Sequence, residues 1–375
     1  MDSATPAPAF ETVTDVFPIN GTDYIEFYVG NARQAAHYYQ TTFGFEVIGY
    51  SGPETGVRDR ASYLLRQNKV RFIVTAAMGP DGPIADHVRR HGDGIRDIAL
   101  WVDDAREAYA LAVARGARSA YEPRVLRDGS GEVVMAGIHT YGDTIHSLVE
   151  RRGYRGAFRP DFQPMAGGPA VEPVGILHVD HCVGNVELGK MDEWVGFYER
   201  VMGFRNLISF DDEDISTEYS SLMSKVVANG NERIKFPINE PAEGRRKSQI
   251  DEYLDYYGGA GAQHLALATH DIVHTVRLLE ARGLEFLTVP SSYYETLLNR
   301  VGPIEEDLRE LKQLGILVDR DDEGYLLQIF TQPVQDRPTF FYEIIQRKGA
   351  RSFGKGNFKA LFEAIEREQA RRGNL

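Results

Sequence analysis

The sequence predicts an α+β fold in which one unit, a strand followed by a helix and further strands, is present twice. Two observations predict it. First, three segments of the N-terminal half recur in the same order in the C-terminal half. Second, the first two segments of each half read as a strand leading into a helix pattern that stops at a glycine, which is a common C-terminal signal of helices. The matching segments are 22–45 and 178–204, 94–117 and 261–284, and 145–153 and 341–349.

The matched segments give the elements in order. In the first pair, a strand runs into the tripeptide V-G-N and then into an amphipathic helix that ends at Gly-Phe. In the second pair a strand leads into a helix that stops at Arg-Gly, and the third pair is a closing strand. We therefore expect an N-terminal domain over 18–157 that binds no metal, and a C-terminal catalytic domain over 176–375. The segment 158–175, rich in proline and glycine, is predicted to link them, and 1–17 to be a disordered tail.

Composition and charge exclude several classes of protein. A chain of 375 residues with 26% charged residues has an ordinary globular composition and enough length for about two domains. A net charge of −13 argues against a nucleic-acid partner, because the phosphate backbone is also negative. The single cysteine, Cys182, cannot form an internal disulfide. The N-terminus lacks the pattern of a secretory signal, and no stretch approaches the ~20 apolar residues of a membrane span. We expect a cytoplasmic protein with no membrane partner.

One carboxylate lies in an unexpected place. The segment "PTFFYEIIQRKG" reads as a buried strand that is interrupted by Glu343. An isolated buried carboxylate is costly, and it usually pairs with another charge or binds a metal. Superposition of the two copies finds polar, metal-type groups on three strands of the second half and no such set in the first. The superposed positions are His181 with Phe27, His264 with Asp97, and Glu343 with Ser147.

Two histidines and one carboxylate with open positions form the facial triad of non-haem Fe(II) oxygenases. Taken singly, each residue has another explanation, since a lone strand histidine is more often a hydrogen-bonded core residue and Glu343 could be an ion-pair partner. His178 and His181 are an odd number of positions apart, so on a regular strand they face opposite ways and cannot share one metal. His270 and His274 lie at i and i+4 on a helix, but no carboxylate completes H-E-x-x-H there. The combination on three corresponding strands favours the triad.

Several longer motifs carry a family resemblance from about residue 16 onward. They include "HVDHCVGNV", "FPINEP", "GAGAQHLAL", "YLLQIFTQP", "RPTFFYEIIQR" and "FGKGNFKALFEAIE", in that order. With them the chain resembles the 4-hydroxyphenylpyruvate dioxygenases, enzymes of tyrosine and phenylalanine catabolism. The resemblance implies the vicinal oxygen chelate fold, with tandem βαβββ units forming two open-barrel domains and a C-terminal helix, about 356–371, over the catalytic barrel. It assigns one Fe(II) per chain to His181, His264 and Glu343.

The resemblance also implies a reaction and partners. Such an enzyme converts 4-hydroxyphenylpyruvate and O₂ to homogentisate and CO₂, by oxidative decarboxylation, ring hydroxylation and side-chain migration. Because the substrate is itself a 2-oxo acid, no separate 2-oxoglutarate is needed. The family further suggests a homo-oligomer, either a dimer or a tetramer.

The substrate-binding residues are likewise implied by the resemblance. Within this set, Gln328 and Phe358 are expected to shape the pocket around the iron, and Phe358 and Phe362 to cover it as a lid. Gln263 neighbours His264, so strict strand alternation would point it away from the metal; only an irregular strand start would bring both inward. The set is Ser224, Asn239, Gln249, Gln263, Gln328, Phe330, Asn357, Phe358 and Phe362.

Three other functions are considered. A 4-hydroxymandelate synthase would share the fold, the triad and the substrate but hydroxylate the benzylic carbon. A ring-cleaving dioxygenase of the same fold would not need the C-terminal helix. A non-catalytic protein that sequesters a small molecule would need no metal triad, so bound iron would separate it from the enzymes.

Overall fold

Two mixed β-sheets, one in each half of the chain, form the framework. The computed structural model describes residues 15–165, 168, 171–211, 221–242 and 246–374. The first sheet has the strand order β6-β7-β8-β5-β1-β4-β3-β2-β9. Its strands are β1 (Ile19–Tyr28), β2 (Glu46–Ser51), β3 (Arg60–Gln67), β4 (Val70–Ala77), β5 (Gly94–Val102), β6 (Ser119–Asp128), β7 (Gly131–His139), β8 (Ile145–Glu150) and β9 (Gln163–Pro164).

The second sheet repeats this arrangement in the order β11-β12-β13-β10-β14-β17-β16-β15. In both sheets the first strand lies in the middle, parallel to one neighbour and antiparallel to the other. The strands of the second sheet are β10 (Ile176–Asn185), β11 (Arg205–Phe210), β12 (Leu222–Ala228), β13 (Lys235–Pro241), β14 (Gly261–Thr269), β15 (Leu317–Arg320), β16 (Tyr325–Phe330) and β17 (Phe341–Lys348). The duplication and the vicinal oxygen chelate architecture predicted from the sequence are confirmed.

Helices connect the strands and cover the sheets. Their ends follow local chemistry: Asn31 accepts a hydrogen bond from Gln34 N at the start of the first helix, and Gly44 takes the left-handed conformation at its end. The α-helices are α1 (Ala32–Phe43), α2 (Pro83–His91), α3 (Ala105–Ala114), α4 (Met191–Met202), α5 (Gln249–Tyr257), α6 (Ile272–Ala281), α7 (Ser292–Glu295), α8 (Leu297–Val301), α9 (Leu308–Leu314) and α10 (Phe358–Arg372). Two single 3₁₀ turns span Pro53–Thr55 and Lys355–Asn357.

Strand register shows which positions of the two halves correspond. Tyr24 pairs with Ala99 on the neighbouring strand, and His181 pairs with Ala266, the residue at the same place on β14. His181 therefore corresponds to Tyr24, and the superposition that placed it opposite Phe27 is wrong by three positions. The equivalences of His264 with Asp97 and of Glu343 with Ser147 agree with the register.

The three first-half equivalents of the triad form a hydrogen-bonded cluster of their own. The Tyr24 hydroxyl donates to Asp97 Oδ2 at 2.9 Å, and the Ser147 hydroxyl donates to the same oxygen. The Ser147 backbone N–H donates to Asp97 Oδ1 at 2.9 Å. Burial, with a smaller effect of the nearby Glu26 carboxylate, raises the pKa of Asp97 from 3.8 to about 6, although the hydrogen bonds from Ser147 and Tyr24 lower it. The first domain thus keeps a polar centre where the second has its triad.

The raised pKa of Asp97 predicts a pH-dependent contribution to stability. Between its unfolded value of 3.8 and its folded value of about 6, the folded chain holds a proton that the unfolded chain has lost, so this contribution falls as pH rises. Asp97→Asn removes it. The free energy of unfolding is measured with denaturant for the wild type and Asp97→Asn at pH 4 and pH 7. Between these pH values the variant is expected to gain about 2 kcal/mol relative to the wild type. The exposed Asp322→Asn serves as control, and an equal difference at both pH values would contradict the assignment.

Aromatic side chains join the two domains. The Phe27 and Phe340 rings contact each other at 5.5 Å, and the Tyr342 ring contacts Phe43 at 5.1 Å. The Tyr342 hydroxyl donates a hydrogen bond of 2.7 Å to the Tyr39 hydroxyl. All five side chains are buried. We call this set the aromatic seam; it ties the core of the first domain to the strand that carries Glu343.

The structure alters two of the expected boundaries. Residues 1–14 of the predicted tail lie outside the described residues, but Phe17 is buried and Asp15 accepts a hydrogen bond from Gly230 N, so the tail prediction extends too far. In the predicted linker, Phe158 and Phe162 pack into the first domain, and β9 pairs with β2. The first part of that segment is therefore an element of the first domain. Among the described residues, none of the helices has the length and apolar character needed to span a bilayer.

Candidate metal centre

Three adjacent strands of the second sheet bring the predicted triad together. His181 lies on β10, His264 on β14 and Glu343 on β17, and these strands are neighbours in that order. Glu343 Oε2 is 3.2 Å from His181 Nε2 and 3.5 Å from His264 Nε2. One ligand atom from each residue lies within 4.8 Å of the others, and all three residues are buried. In the described part of the chain, no other group of three metal-type side chains converges in this way.

Two β-bulges set the side-chain directions at this centre. On β10 the pairing shifts between Val179 and His181, which leaves Asp180 as an extra residue. On β14 it shifts between Ala262 and His264, which leaves Gln263 as an extra residue. The second bulge is the irregular strand start needed for Gln263 and His264 to face inward together. His178 is exposed and takes no part in the centre, although the bulge at Asp180 cancels the odd spacing that predicted its exclusion.

The two extra residues orient the histidine rings. His181 Nδ1 lies 2.8 Å from Asp180 Oδ1, and His264 Nδ1 lies 3.0 Å from Gln263 Oε1. Both partners are oxygen acceptors, so each ring carries its proton on Nδ1 and presents the lone pair of Nε2 to the centre. Metal-bound histidines have partners of this kind, which fix the tautomer and the ring orientation.

The charge of Asp180 is balanced by a second buried ion pair. Arg347 Nε and Nη2 lie 2.8 Å and 2.9 Å from the two Asp180 oxygens. Burial would raise the pKa of Asp180, but the Arg347 charge outweighs it and holds that pKa well below its usual range. Arg347 Nη1 also donates to the carbonyls of Ala350 and Ser352, at 3.2 Å and 2.7 Å. Arg347 thus connects the His181 partner to the loop that precedes α10.

The electrostatics of the triad suit a cation. Burial would raise the pKa of Glu343, but His181 and His264 lower it below its ordinary value by charge and hydrogen bonding. Burial lowers the pKa of His264 in spite of Glu343. The centre therefore offers one anionic oxygen and two imidazole nitrogens. This donor set matches the two-histidine, one-carboxylate group of non-haem Fe(II) sites, so these residues fit a divalent metal of that kind.

A mostly apolar cavity of about 80 Å³ adjoins the triad. The structure brings to it most of the predicted substrate residues, with Ser224 on β12, Asn239 on β13 and Gln249 at the start of α5. The Phe330 ring meets His264 edge-on at 6.0 Å. The predicted residues that line the cavity are Ser224, Asn239, Gln249, Gln263, Phe330, Phe358 and Phe362.

Gln328 and Asn357 are the two predicted substrate residues that do not line this cavity. Asn357 is fully buried and accepts a hydrogen bond of 2.6 Å from the Tyr293 hydroxyl, which fixes the start of α10. Gln328 is 1% exposed and its side chain lies beside Gly354, where an added Cβ would meet it at 2.6 Å. Gln328 therefore packs against the segment before α10, and Asn357 anchors the end of that segment to Tyr293.

The sequence reasoning missed several residues of the centre. Phe341 stacks on His264 at 4.7 Å, and Phe353 meets His181 edge-on at 5.1 Å. Apolar positions of this kind cannot be distinguished from core by their pattern. The cavity residues not predicted as substrate-binding are Val183, Phe210, Leu222, Val226, Pro237, Phe341, Phe353, Leu361 and Ile365.

Asp180 and Arg347 were also missed, although the repeat contained a signal for them. Arg151 holds Asp23 through two hydrogen bonds of 2.6 Å at the corresponding place in the first domain. Arg347 and Arg151 occupy the same position of the repeated closing strand. The duplicated arginine could have indicated a duplicated ion pair.

Two family models match this chain, one in each half. Residues 14–163 match the family model "Hydroxyphenylpyruvate dioxygenase, HPPD, N-terminal", and residues 178–329 match that of the "Glyoxalase/Bleomycin resistance protein/Dioxygenase superfamily". The chain is 48% identical to 4-hydroxyphenylpyruvate dioxygenase of Yarrowia lipolytica over 98% of this chain and 96% of that protein. It is 49% identical to the Dictyostelium discoideum enzyme over 95% of this chain and 100% of that one. This chain belongs to the 4-hydroxyphenylpyruvate dioxygenase family.

A solved relative extends the comparison to three dimensions. A triple mutant of 4-hydroxymandelate synthase from Streptomyces coelicolor is 36% identical and superposes with a TM-score of 0.85, covering 94% of this chain and 99% of that chain. The membership predicted from the motifs, and with it the prediction of an oxidoreductase of the dioxygenase class, is confirmed. The structural similarity to 4-hydroxymandelate synthase is consistent with the alternative activity considered from the sequence.

Proposed function

We propose that the protein is an Fe(II)-dependent dioxygenase that converts 4-hydroxyphenylpyruvate and O₂ to homogentisate and CO₂. The observation that supports this most is the buried triad of His181, His264 and Glu343, whose two imidazole Nε2 atoms and one carboxylate oxygen converge on one point. Family membership supports the choice of substrate, because the relatives from Yarrowia lipolytica, Dictyostelium discoideum and Caenorhabditis elegans are all named 4-hydroxyphenylpyruvate dioxygenase.

The triad residues would hold one Fe(II). When bound there, the iron supplies open coordination positions for the 2-oxo acid and for O₂. The protein keeps the ligands in place before any substrate arrives: Asp180 and Gln263 fix the two imidazole rings, and the bulges set the strand geometry. Such outer partners matter nearly as much as the ligands themselves.

The remaining walls orient the substrate and exclude water. Ser224, Asn239 and Gln249 offer polar groups away from the triad residues, and they are proposed to hold the phenol end. Asn239 Nδ2 is itself held by Asn185 Oδ1 at 3.3 Å. A site that hydrogen-bonds a substrate hydroxyl rejects an analogue that lacks it, because its own polar groups are then left unpaired. Phe330, Phe358 and Phe362 form apolar walls that protect reactive species from water.

The size of the cavity implies that α10 moves. At about 80 Å³ the cavity is far below the roughly 300 Å³ or more of typical ligand pockets. Four of its lining residues lie on α10: Phe358, Leu361, Phe362 and Ile365. We propose that this helix, predicted as a lid, is closed in the structure and swings away to admit the substrate.

The experiment that tests the proposed function is product analysis. The protein is loaded anaerobically with Fe(II), given 4-hydroxyphenylpyruvate and O₂, and the product is identified by chromatography. Homogentisate with one CO₂ per O₂ consumed is the expected result. Bound iron with neither homogentisate nor any other product of this substrate would overturn the proposal.

A 4-hydroxymandelate synthase activity is the second candidate, because the solved relative of that name shares 36% identity and the overall fold. The same chromatogram decides between them. 4-Hydroxymandelate as the main product would retain the triad and replace the ring hydroxylation by benzylic hydroxylation. A dimeric or tetrameric assembly and a cytoplasmic location stay predictions of the sequence.

The lid helix gives a further expected result. Phe358→Ala removes a ring that packs edge-on against Phe210 at 5.0 Å and lines the cavity, without touching the triad. Iron content is expected to stay at the wild-type level, while homogentisate formed per O₂ consumed falls because water reaches the centre. The control is Phe286→Ala, which loses the same side chain outside the cavity. Unchanged coupling in Phe358→Ala would contradict the lid role.

A further inference from the structure

We propose that the first domain holds a second ligand site, which binds a small organic cation through Glu26 and Asp97. A cavity of about 330 Å³ lies on this domain, roughly four times the volume of the cavity at the triad. It is lined by residues from seven strands of the first sheet. Those that carry the argument are Tyr24 and Glu26 on β1, Ser51 on β2, Asp97 on β5, Tyr121 on β6 and Ser147 on β8.

The second cavity occupies the same place in its domain as the catalytic cavity does in the other. Its Tyr24, Asp97 and Ser147 stand at the positions of the triad. The likeness extends to the opposite wall: Ser62 faces Thr75 across β3 and β4, just as Ser224 faces Asn239 across β12 and β13. The duplicated fold has therefore kept a pocket here while changing the chemistry of its lining.

In the first domain, two carboxylates, those of Glu26 and Asp97, line the part of the cavity formed by β1 and β5. Glu26 and Asp97 are direct cross-strand partners, so both side chains lie on the same face of the sheet. Asp97 is 2% exposed, and its hydrogen bonds come from Tyr24 and Ser147, which are neutral. Glu26 accepts a hydrogen bond of 2.6 Å from the Thr75 hydroxyl and has no ion pair among the residues that the structure describes. Two carboxylates without a direct ion pair among the described residues thus face the cavity; Arg159 interacts with Glu26 by charge and donates a hydrogen bond of 3.4 Å to the Tyr24 hydroxyl.

The described arginines of this cavity do not pair directly with these two carboxylates. Arg159 is held by both oxygens of Asp161, at 2.8 Å and 2.9 Å, and Arg60 lies 3.2 Å from Asp59. Arg124 is exposed at the rim, where it stacks over Tyr121 at 4.5 Å.

The fourth arginine is also engaged at the edge of the site. Arg96 donates to the backbone carbonyl of Asp143 and lies 6.0 Å from the centre of the Tyr28 ring. The positive groups are thus paired, hydrogen-bonded or at the rim, and the carboxylates Glu26 and Asp97 remain for a cation.

A buried hydroxyl points to a ligand independently of the charges. Ser51 is 1% exposed and lines the cavity, and its Oγ has no hydrogen-bond partner in the described part of the chain. Ser51 pairs with Ser62, and Phe210 pairs with Ser224, which is the equivalent of Ser62 in the second domain. Ser51 therefore occupies the position that Phe210 has in the cavity at the triad. A buried polar atom without a partner costs free energy, which a ligand or a water held in the cavity would recover.

The remaining lining limits the class of ligand. Tyr28 and Tyr121 add aromatic rings to the lining, but each already has an arginine near its ring, so recognition of an ammonium group rests on the two carboxylates. A cavity of about 330 Å³ is at the small end of ligand pockets, so it suits a molecule with one ring or a short chain. Among the described residues that line this cavity there is no histidine, and no group of three metal-type side chains converges here. A bare metal ion is therefore not indicated. A small amine fits both the negative charge of Glu26 and Asp97 and the volume of the cavity.

Calorimetric titration of the iron-loaded full-length protein tests this inference with three probes of one shape: benzylamine, benzyl alcohol and benzoate. Saturable binding of benzylamine, with weaker binding of the other two, is expected. In Glu26→Gln, which keeps the size and the Thr75 hydrogen bond, the benzylamine Kd is expected to rise about tenfold or more, as for the loss of a charge-assisted contact. Glu122→Gln, an exposed carboxylate of the same domain, is the matched control and should bind as the wild type does.

Hydrogen exchange locates the bound amine. Benzylamine is expected to slow exchange in β1 and β5, and not in β10 or β14. Protection confined to β10 and β14 would place the amine at the triad and overturn the inference. Tighter binding of benzoate than of benzylamine, no saturable binding, or an unchanged Kd in Glu26→Gln would also overturn it. Unchanged iron content and turnover in Glu26→Gln would show that the variant is folded.

Discussion

Replacing Glu343 by glutamine is expected to abolish turnover and to weaken iron binding by at least about 100-fold. The substitution removes the anionic oxygen that lies 3.2 Å and 3.5 Å from the two histidine Nε2 atoms. Loss of an outer partner of a metal ligand already costs about 10- to 100-fold in metal affinity, and loss of a ligand itself should cost more. The measurement is the Kd for Fe(II), determined anaerobically by competition with a chelator, together with homogentisate formation.

The control for this variant is Glu240→Gln. Glu240 is also a buried carboxylate, at 6% exposed against 3% for Glu343, and it lies on β13, next to the strand that carries His181. It accepts a hydrogen bond of 3.0 Å from Met191 N at the start of α4 and does not line the cavity. We expect this control to bind iron as the wild type does. Wild-type affinity in Glu343→Gln would show that the carboxylate is not a ligand.

Replacing Arg347 by methionine is expected to destabilise the protein by about 3–5 kcal/mol, because it leaves the buried Asp180 carboxylate without its cation. Iron affinity should fall as well, by about 10- to 100-fold, since Asp180 fixes the ring of His181. Denaturant unfolding of the metal-free protein measures the first effect, and chelator competition measures the second.

The first domain supplies a matched control for this prediction. Arg151 and Asp23 form the corresponding pair, with side-chain exposures of 16% and 2% against 18% and 4% for Arg347 and Asp180. Arg151→Met should cost similar stability and leave iron affinity unchanged, because no metal ligand lies beside Asp23. If both variants lost iron affinity equally, the effect would be one of folding and not of ligand orientation.

The triad could be found from the sequence because the chain contains its own comparison. A lone strand histidine has no diagnostic spacing, but two copies of one unit show which polar residues are peculiar to one copy. The match at Glu343 and Ser147, and that at His264 and Asp97, survived in the structure. The fold followed from the same repeat, since strand and helix signals recurred in a fixed order.

The error at His181 has a physical cause. The two V-G-N tripeptides look alike but lie in different structures: Asn31 caps helix α1, whereas Asn185 is the last residue of β10 and pairs with Asn239. Bulges on the central strands add further shifts. Pairing register depends on hydrogen bonds between distant strands, which a comparison of local sequence cannot show.

The linker prediction failed for a related reason. Two prolines mark 158–165 as irregular, but its position is decided by Phe158, Phe162 and a two-residue pairing of β9 with β2. Long-range contacts of this kind fix the segment to the first domain. Gln328 and Asn357, which do not line the cavity, were assigned to the substrate because family motifs do not distinguish lining residues from the residues behind them.

The aromatic seam has a consequence for how this molecule can change over evolution. Tyr342 is the residue before Glu343, and its ring and hydroxyl are seated against Phe43 and Tyr39 of the first half. A descendant that lost its first half would expose these rings and release the strand that carries the acidic ligand. The half without the triad therefore acts as a scaffold for the strand of Glu343: its cavity lining can change, whereas its packing face against Tyr342 has to be kept.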